Sequence, residues 1–147
     1  AEFKVRLSFR VLDEIPWLIA DPRLFNQVVI NLTSNALKFT PENGLVKVEL
    51  ALSKRGDLEL RIIDTGIGIA TEDIARIFEP FVQVENALSR THQGTGLGLP
   101  LVKKIMGLHG GQVELKSAVG DGTTAVVTFP SSRFVEDKND PSSSWAI

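Results

Sequence analysis

Four polar residues in the segment 22–39 recur at the spacing of one helix face. Gln27, Asn31, Asn35 and Lys38 stand at i, i+4, i+8 and i+11, so in a helix they project from one side. An ordinary solvated face usually carries Glu and Lys, and asparagine is a poor helix former. An amide cannot accept a proton at neutral pH, so the chemistry open to this face is binding rather than proton abstraction. A solvated polar face and a polar binding site are the two interpretations, and the paired asparagines count toward the second.

Two glycine-rich stretches follow, Asp64-Thr-Gly-Ile-Gly-Ile69 and Gly94-Thr-Gly-Leu-Gly-Leu99. Neither has the third glycine of G-x-G-x-x-G, and no G-K-[ST] of a Walker A loop is present. The second stretch opens a predicted helix over 97–109, whose first N–H groups can bind phosphate without a positive side chain. Arg90 lies just upstream and could reach a phosphate, although a solvated loop arginine is the alternative. Asp64 follows an apolar strand, where it either begins a turn or serves as a buried carboxylate.

Taken in order, four stretches resemble the N, G1, F and G2 boxes of the ATP-binding domain of sensor histidine kinases, the kinase branch of the GHKL (Bergerat-fold) superfamily. A single glycine-rich loop would be weak evidence, whereas four ordered motifs covering about residues 20 to 130 are specific. The stretches are Asn31–Thr40, Asp64–Ile69, Phe78–Phe81 and Gly94–Leu99.

The resemblance implies a role for each polar residue. The side-chain oxygen of Asn35 would bind Mg²⁺, which keeps several waters and takes its remaining ligands from the triphosphate. Asn31 would orient a metal-bound water or a phosphate, and Lys38 would meet phosphate as a point charge. Asp64 would accept a hydrogen bond from the exocyclic amine of adenine. Guanine carries an oxo group there, so this contact would select ATP over GTP.

The remaining implied residues form the walls of the nucleotide site. Gly66 and Gly68 would let the backbone approach the base and ribose closely. The implied catalytic residues are Asn31, Lys38 and Arg90. The implied ATP-binding residues are Asn31, Asn35, Lys38, Asp64, Gly66, Gly68, Ile69, Phe78, Phe81, Gly94, Thr95, Gly96, Leu97, Gly98 and Leu99.

The identity of residue 31 also distinguishes ATP-hydrolysing members of the superfamily from phosphoryl-transferring ones. Repair, chaperone and topoisomerase relatives in the superfamily carry a glutamate base at this position, so an amide disfavours ATP hydrolysis and a Ser/Thr anti-sigma kinase. The implied function is transfer of the γ-phosphoryl group to a histidine. Neither His92 nor His109 is followed by the acidic residue of a phosphoacceptor. We therefore expect the acceptor on a helical dimerisation domain N-terminal to Ala1, with a response regulator as an indirect partner. The alternative is a nucleotide-binding or docking module of a pseudokinase.

The segment around Phe78 and Phe81 has two interpretations. Ile74, Ile77, Phe78 and Phe81 stand at i, i+3, i+4 and i+7, as in a short helix packed on a core. The resemblance adds that the two phenylalanines anchor a lid over ATP and can dock on the dimerisation domain.

Composition argues against a disulfide-bonded, a nucleic-acid-binding and a membrane-spanning protein. The chain has 147 residues, a formal net charge of -2 and no cysteine, which fits one domain with no disulfide and no general attraction to nucleic acid or an anionic membrane. No apolar run is long enough to span a membrane. We expect a cytoplasmic domain without direct membrane contact.

The predicted elements alternate in type. Strands are expected at 4–12, 17–20, 45–52, 58–63, 112–116 and 123–129, with helices at 22–39, 71–78 and 97–109, the last turning Leu97, Leu101, Ile105 and Leu108 to the core. Hairpin-joined strands cannot all be parallel. This predicts a two-layer α/β sandwich, a mixed, mostly antiparallel sheet covered on one face by about three helices. Residues 1–130 would form the ATP-binding domain, with a polar, mobile loop at 82–95. Residues 131–147 would form a tail or linker.

Overall fold

The computed structural model describes residues 4–79 and 98–136. The predicted loop 82–95 and the end of the predicted tail, 137–147, lie outside these ranges. Two 3₁₀ turns, Arg76–Phe78 and Ser131–Arg133, accompany the regular elements. Those elements are β1 (Arg6–Val11), β2 (Trp17–Leu18), α1 (Pro22–Lys38), β3 (Leu45–Leu52), β4 (Leu58–Asp64), α2 (Thr71–Ile74), α3 (Gly98–Leu108), β5 (Gln112–Ser117), β6 (Thr123–Phe129) and β7 (Phe134–Val135).

Five of the strands form one sheet in the order β1-β3-β4-β6-β5. β1 runs parallel to β3, and the other three pairings are antiparallel. Alternate residues of these strands, among them Val48, Ile62 and Val127, are buried with residues of α1 and α3 in one core. The predicted mixed, mostly antiparallel sheet with helices on one face is confirmed.

Helix α1 forms where the sequence supplies both a start signal and an apolar stripe. The Asp21 side chain accepts a hydrogen bond from Arg23 N at 2.9 Å, which caps the free N–H groups, and Pro22 occupies the first turn. Val28, Leu32 and Ala36 are buried. Asn31 and Asn35 lie along the edge of this buried stripe and are half-buried.

The predicted core face of α3 is wrong. Ile105 is buried, but Leu101 and Leu108 are 38% and 64% exposed, and Leu97 lies outside the described residues. The buried residues are Leu99, Val102, Ile105 and Met106. The apolar residues surround much of this helix, so the spacing alone admitted two stripes, and packing against α1 and β5 selected the other one.

Strand β1, which alternates apolar and polar residues, has exposed apolar side chains. Leu7, Phe9 and Val11 are 56%, 62% and 53% exposed. They pair with Val46, Val48 and Leu50 of β3, so they extend the helix-covered face of the sheet. Because β1 is the edge strand, no helix of the described chain covers that part of the face.

Residues 131–136, the first part of the predicted tail, pack against the rest of the domain. β7 pairs with β2 in a small antiparallel sheet, and Phe134 packs against the core. Arg133 donates hydrogen bonds to the carbonyl oxygens of Ile19, Leu108 and His109. The division of the chain at residue 130 stays a prediction, but residues 131–136 are not free of the domain.

No helix within the described ranges is both long enough and apolar enough to cross a membrane.

Candidate nucleotide-binding site

The asparagines of α1 meet the first described turn of α3. Asn31 and Asn35 are both half-buried. A Cβ placed on Gly98 would lie 3.5 Å from Asn31 Oδ1 and 3.7 Å from Asn35 Nδ2. The N-box face and the end of the second glycine stretch, far apart in sequence, are therefore neighbours in space.

Asn31 carries a polar atom that the described residues leave without a partner. Its Nδ2 atom is buried and makes no hydrogen bond within the described ranges. A buried donor without an acceptor costs free energy comparable to a lost hydrogen bond. This atom is accordingly suited to an acceptor supplied from elsewhere, such as a water or a phosphate oxygen.

The donor set at this position fits a magnesium ion better than a metal held by the protein alone. Within residues 4–79 and 98–136, no group of three or more His, Cys, Asp or Glu side chains could hold a metal. Mg²⁺ prefers oxygen ligands, keeps several waters and is usually bound by one or two protein groups plus substrate phosphates. Asn31 and Asn35 each offer an amide oxygen of that kind.

Asp64 is the last residue of β4 and is held by its neighbours' backbone. Its Oδ1 atom accepts hydrogen bonds from Gly66 N at 2.8 Å and Thr123 N at 3.2 Å. Both contacts end on Oδ1, so among the described residues Oδ2 remains a free acceptor. Burial raises the pKa of the Asp64 carboxyl, and the hydrogen bonds from Gly66 and Thr123 oppose that rise.

The loop 65–70, which follows β4, is fixed by contacts with other parts of the backbone. Ile67 N donates to Phe39 O at the end of α1, and Gly120 N donates to Ile67 O. A Cβ on Gly66 would lie 2.4 Å from Phe39 O, and one on Gly68, whose φ is +76°, would lie 2.0 Å from Ala118 O. Both glycines are thus needed for packing inside the domain, whatever their distance from a bound base.

Several of the predicted ATP-binding residues pack against other parts of the domain. Phe78 packs partly buried against the core, with Lys103 Nζ 6.0 Å from its ring centre, and Leu99 belongs to the core itself. Ile69 and Lys38 are half-buried, the first in the loop 65–70 and the second in the last turn of α1. Their contacts with a nucleotide stay predictions.

Six predicted site residues lie outside the described ranges. They are Phe81, Arg90, Gly94, Thr95, Gly96 and Leu97. His92 lies outside as well.

His109 is buried directly after the end of α3. Its Nε2 atom accepts a hydrogen bond from Asp21 N at 3.3 Å, and its Nδ1 atom lies 2.9 Å from Ile105 O. Since Nε2 is the acceptor, the proton belongs on Nδ1. The ring thereby joins the start of α1 to the end of α3.

Ser117 and Thr123 were not among the predicted site residues, although Thr123 N contacts Asp64 and Ser117 contacts the loop that follows it. They pair with each other at the ends of β5 and β6, and Thr123 pairs with Asp64 across β4 and β6. A hydroxyl-bearing residue directly after the turn glycine Gly122 was the available signal, but its place beside Asp64 depends on strand register.

Comparison with known proteins places this geometry in a family. Residues 20–133 match the family described as histidine kinase-, DNA gyrase B- and HSP90-like ATPases. A sensor-like histidine kinase of Rhizobium meliloti is 50% identical over 127 residues, which is 86% of this chain. The non-motile and phage-resistance protein of Caulobacter vibrioides is 48% identical over 133 residues, 88% of this chain. The chain spans only 24% and 15% of the lengths of these two relatives.

Solved structures give the same result. Full-length ShkA in complex with AMPPNP superposes with a TM-score of 0.76 at 31% identity, covering 90% of this chain and 26% of that one. The nucleotide-free catalytic domain of the histidine kinase ThkA superposes with a TM-score of 0.73 at 28% identity, covering 87% of this chain and 81% of that one. The chain therefore belongs to the histidine kinase-, DNA gyrase B- and HSP90-like ATPase family, and within it to the ATP-binding catalytic domains of sensor histidine kinases.

Proposed function

We propose that this domain binds Mg-ATP and donates the γ-phosphoryl group to a histidine on a separate helical phosphoacceptor domain of the same whole protein. The observation that carries the proposal is the pair of asparagines facing Gly98, with the buried Asn31 Nδ2 lacking a partner among the described residues. The similar ShkA was solved with AMPPNP, an ATP analogue. In this proposal the domain works in the cytoplasm, where ATP is available, and a response regulator receives the phosphoryl group from the histidine.

Four residues of this chain have a defined part in the proposed site. Asn35 would contribute a ligand to Mg²⁺, Asn31 would orient a water or phosphate oxygen, and Lys38 would neutralise phosphate charge. Asp64 would accept from the adenine amine through its free Oδ2. When bound, the metal ion neutralises charge on the phosphate oxygens.

The reaction needs positioning more than proton removal. The bond between the γ-phosphorus and its bridging oxygen breaks, a bond from that phosphorus to an imidazole nitrogen forms, and ADP leaves. A neutral imidazole nitrogen already holds the attacking electron pair. Asn31, an amide where hydrolytic relatives carry a glutamate base, supports this chemistry over activation of water.

The proposal is tested by following radiolabel from γ-labelled ATP. We expect the domain alone to bind ATP and acquire no label, because neither of its histidines has the acidic neighbour of a phosphoacceptor. When the helical segment of the whole protein is added, acid-labile label is expected on that segment. The rate should rise with the concentration of the segment, because the two separate parts must first associate. Label on the domain itself would contradict the assignment of the acceptor. ATP binding without label on either part would favour the pseudokinase alternative.

A second prediction concerns the pH dependence of nucleotide binding. The adenine amine donates a hydrogen bond, so Asp64 must accept it through its carboxylate. Burial raises the pKa of this carboxyl. Protonation turns an oxygen acceptor into a donor, so affinity for ADP should fall as pH drops through that raised pKa. The loss should therefore begin at a higher pH than for an ordinary aspartate. Calorimetric titration with ADP from neutral to mildly acid pH measures this.

The control for that experiment is Asp64→Asn, which cannot titrate at this position. Its weaker binding should lack the Asp64 component of the pH dependence, while protonation of the ADP phosphates affects both proteins alike. Parallel pH profiles for the two proteins would show that Asp64 does not meet the base.

A further inference from the structure

We propose that Ser117 is a positioning residue for base recognition, because its hydroxyl holds the loop 65–70 against the turn between β5 and β6 and fixes the hydrogen-bonding state of Thr123. The proposal rests on the nucleotide-binding function above, and it adds a residue that the kinase motifs do not include.

The Ser117 hydroxyl makes three hydrogen-bonding contacts at the end of β5. Ile69 N donates to Ser117 Oγ at 2.7 Å. Ser117 Oγ lies 2.8 Å from Gly122 O, to which it donates, and 2.7 Å from Thr123 Oγ1. One half-buried hydroxyl thus contacts the loop after β4, the β5–β6 turn and the first residue of β6.

The number of available protons decides the direction of each contact. A serine hydroxyl has one proton and two lone pairs. If that proton goes to Gly122 O, the contact with Thr123 is a hydrogen bond only when the Thr123 hydroxyl donates to Ser117. All three contacts are then satisfied, whereas the reverse direction leaves Gly122 O without this donor. The Thr123 hydroxyl therefore has its proton committed to Ser117 and can act toward other groups only as an acceptor.

Ser117 supplies the one side-chain hydrogen bond that joins the loop 65–70 to residues 117–122 in the described chain. The other contacts are made by backbone: Gly120 N donates to Ile67 O at 2.8 Å, and Gly68 lies close to Ala118 O. These backbone contacts hold the loop at Ile67 and Gly68, so the position of Ile69 at the end of the loop depends on Ser117. That loop begins directly after Asp64, so its placement sets the space beside the carboxylate.

The state of Thr123 matters because Thr123 already contacts Asp64. Its backbone N–H donates to Asp64 Oδ1 at 3.2 Å. With Ser117 present, the threonine hydroxyl cannot donate to the carboxylate, so the free Oδ2 is kept for the adenine amine. Without Ser117, the Thr123 hydroxyl regains a free proton on the residue paired with Asp64 across the two strands, and this proton competes with the adenine amine for the carboxylate.

The test compares ADP and GDP binding to the 147-residue chain and to Ser117→Ala. We expect the alanine variant to lose roughly tenfold in ADP affinity, the effect of about one to two hydrogen bonds, with a smaller loss for GDP, so the preference for adenine falls. Ser117→Thr keeps the hydroxyl and should restore most of that preference. Thr124→Ala is the matched control, because it removes a hydroxyl from the next residue of β6, which faces the other side of the sheet.

Each outcome bears on a different claim. Failure of the parent chain to bind ADP would refute the proposed function itself. Parent binding with an unchanged ADP-to-GDP ratio in Ser117→Ala would overturn the role of Ser117. Equal losses for both nucleotides, without rescue by Ser117→Thr, would indicate a merely structural serine and would also overturn it. If the alanine variant does not fold, Ser117→Cys keeps the shape with a weak hydrogen-bonding group and makes the same comparison.

Discussion

Asp64→Asn is expected to remove most of the nucleotide affinity while leaving the fold intact. The substitution replaces an acceptor oxygen by an amide that can turn a donor toward the donating adenine amine. Spoiling a charged hydrogen bond in a partly buried site costs about 1–3 kcal/mol or more, which corresponds to a loss of tenfold or greater.

The stability of the folded domain should respond in the opposite sense. The amide oxygen of the substituted side chain can still accept from Gly66 N and Thr123 N, so the local hydrogen bonds persist. Since the folded-state pKa of Asp64 is raised, the native state binds the proton more tightly than the unfolded state does. The stabilisation from this group is fully present below the unfolded pKa and is lost as pH rises through the folded pKa. At neutral pH the buried charge is a cost that asparagine removes.

Denaturant unfolding and calorimetric titration of the same two proteins check this prediction. We expect an unchanged or higher free energy of unfolding at neutral pH in Asp64→Asn, together with the loss of ADP affinity. A variant that is markedly less stable and binds ADP as the parent does would show that Asp64 serves the fold rather than the nucleotide.

Asn35→Ala is expected to remove most of the Mg²⁺ dependence of ATP binding. In the proposed site Asn35 is the protein's own ligand to the ion, and without it the metal is held by phosphate and water alone. The parent chain should bind ATP more tightly with Mg²⁺ than with a chelator, whereas the variant should bind similarly in both. Titration of ATP in the two conditions measures the difference.

A matched control for that experiment lies on the same helix. Asn26 is exposed on α1, so Asn26→Ala should keep the full Mg²⁺ effect while making the same change in helix propensity. If Asn35→Ala binds Mg-ATP as the parent does, the assignment of the helix face to the metal is wrong.

The parts of this structure that sequence predicted well are those fixed by local signals. α1 begins at a cap and a proline, and its stripe of buried residues is unbroken. β3 and β4 are joined by a short turn containing Gly56, whose φ is +86°. In each case the neighbouring residues contain the whole cause, so the element follows from its own segment.

The parts that sequence predicted poorly depend on what lies on the other side of a contact. The apolar residues of α3 allowed two stripes, and only packing against α1 selected Leu99 over Leu101. The alternation in β1 predicted a strand but not that its apolar side would lie beyond the helices. Thr123 reaches Asp64, and Ser117 reaches Thr123, through the register of three strands, which no local pattern encodes.

The exposed apolar side of β1 has a consequence for the colloidal behaviour of the isolated chain. An edge strand with an uncovered apolar row is a template for pairing with another polypeptide, and a formal net charge of -2 supplies little electrostatic repulsion between molecules. Arg6 and Arg10, which are exposed and alternate with Leu7 and Phe9, place positive charge at this border. Positive charge of this kind protects natural sheet edges from pairing, so Arg6 and Arg10 oppose the self-association that the uncovered apolar row favours.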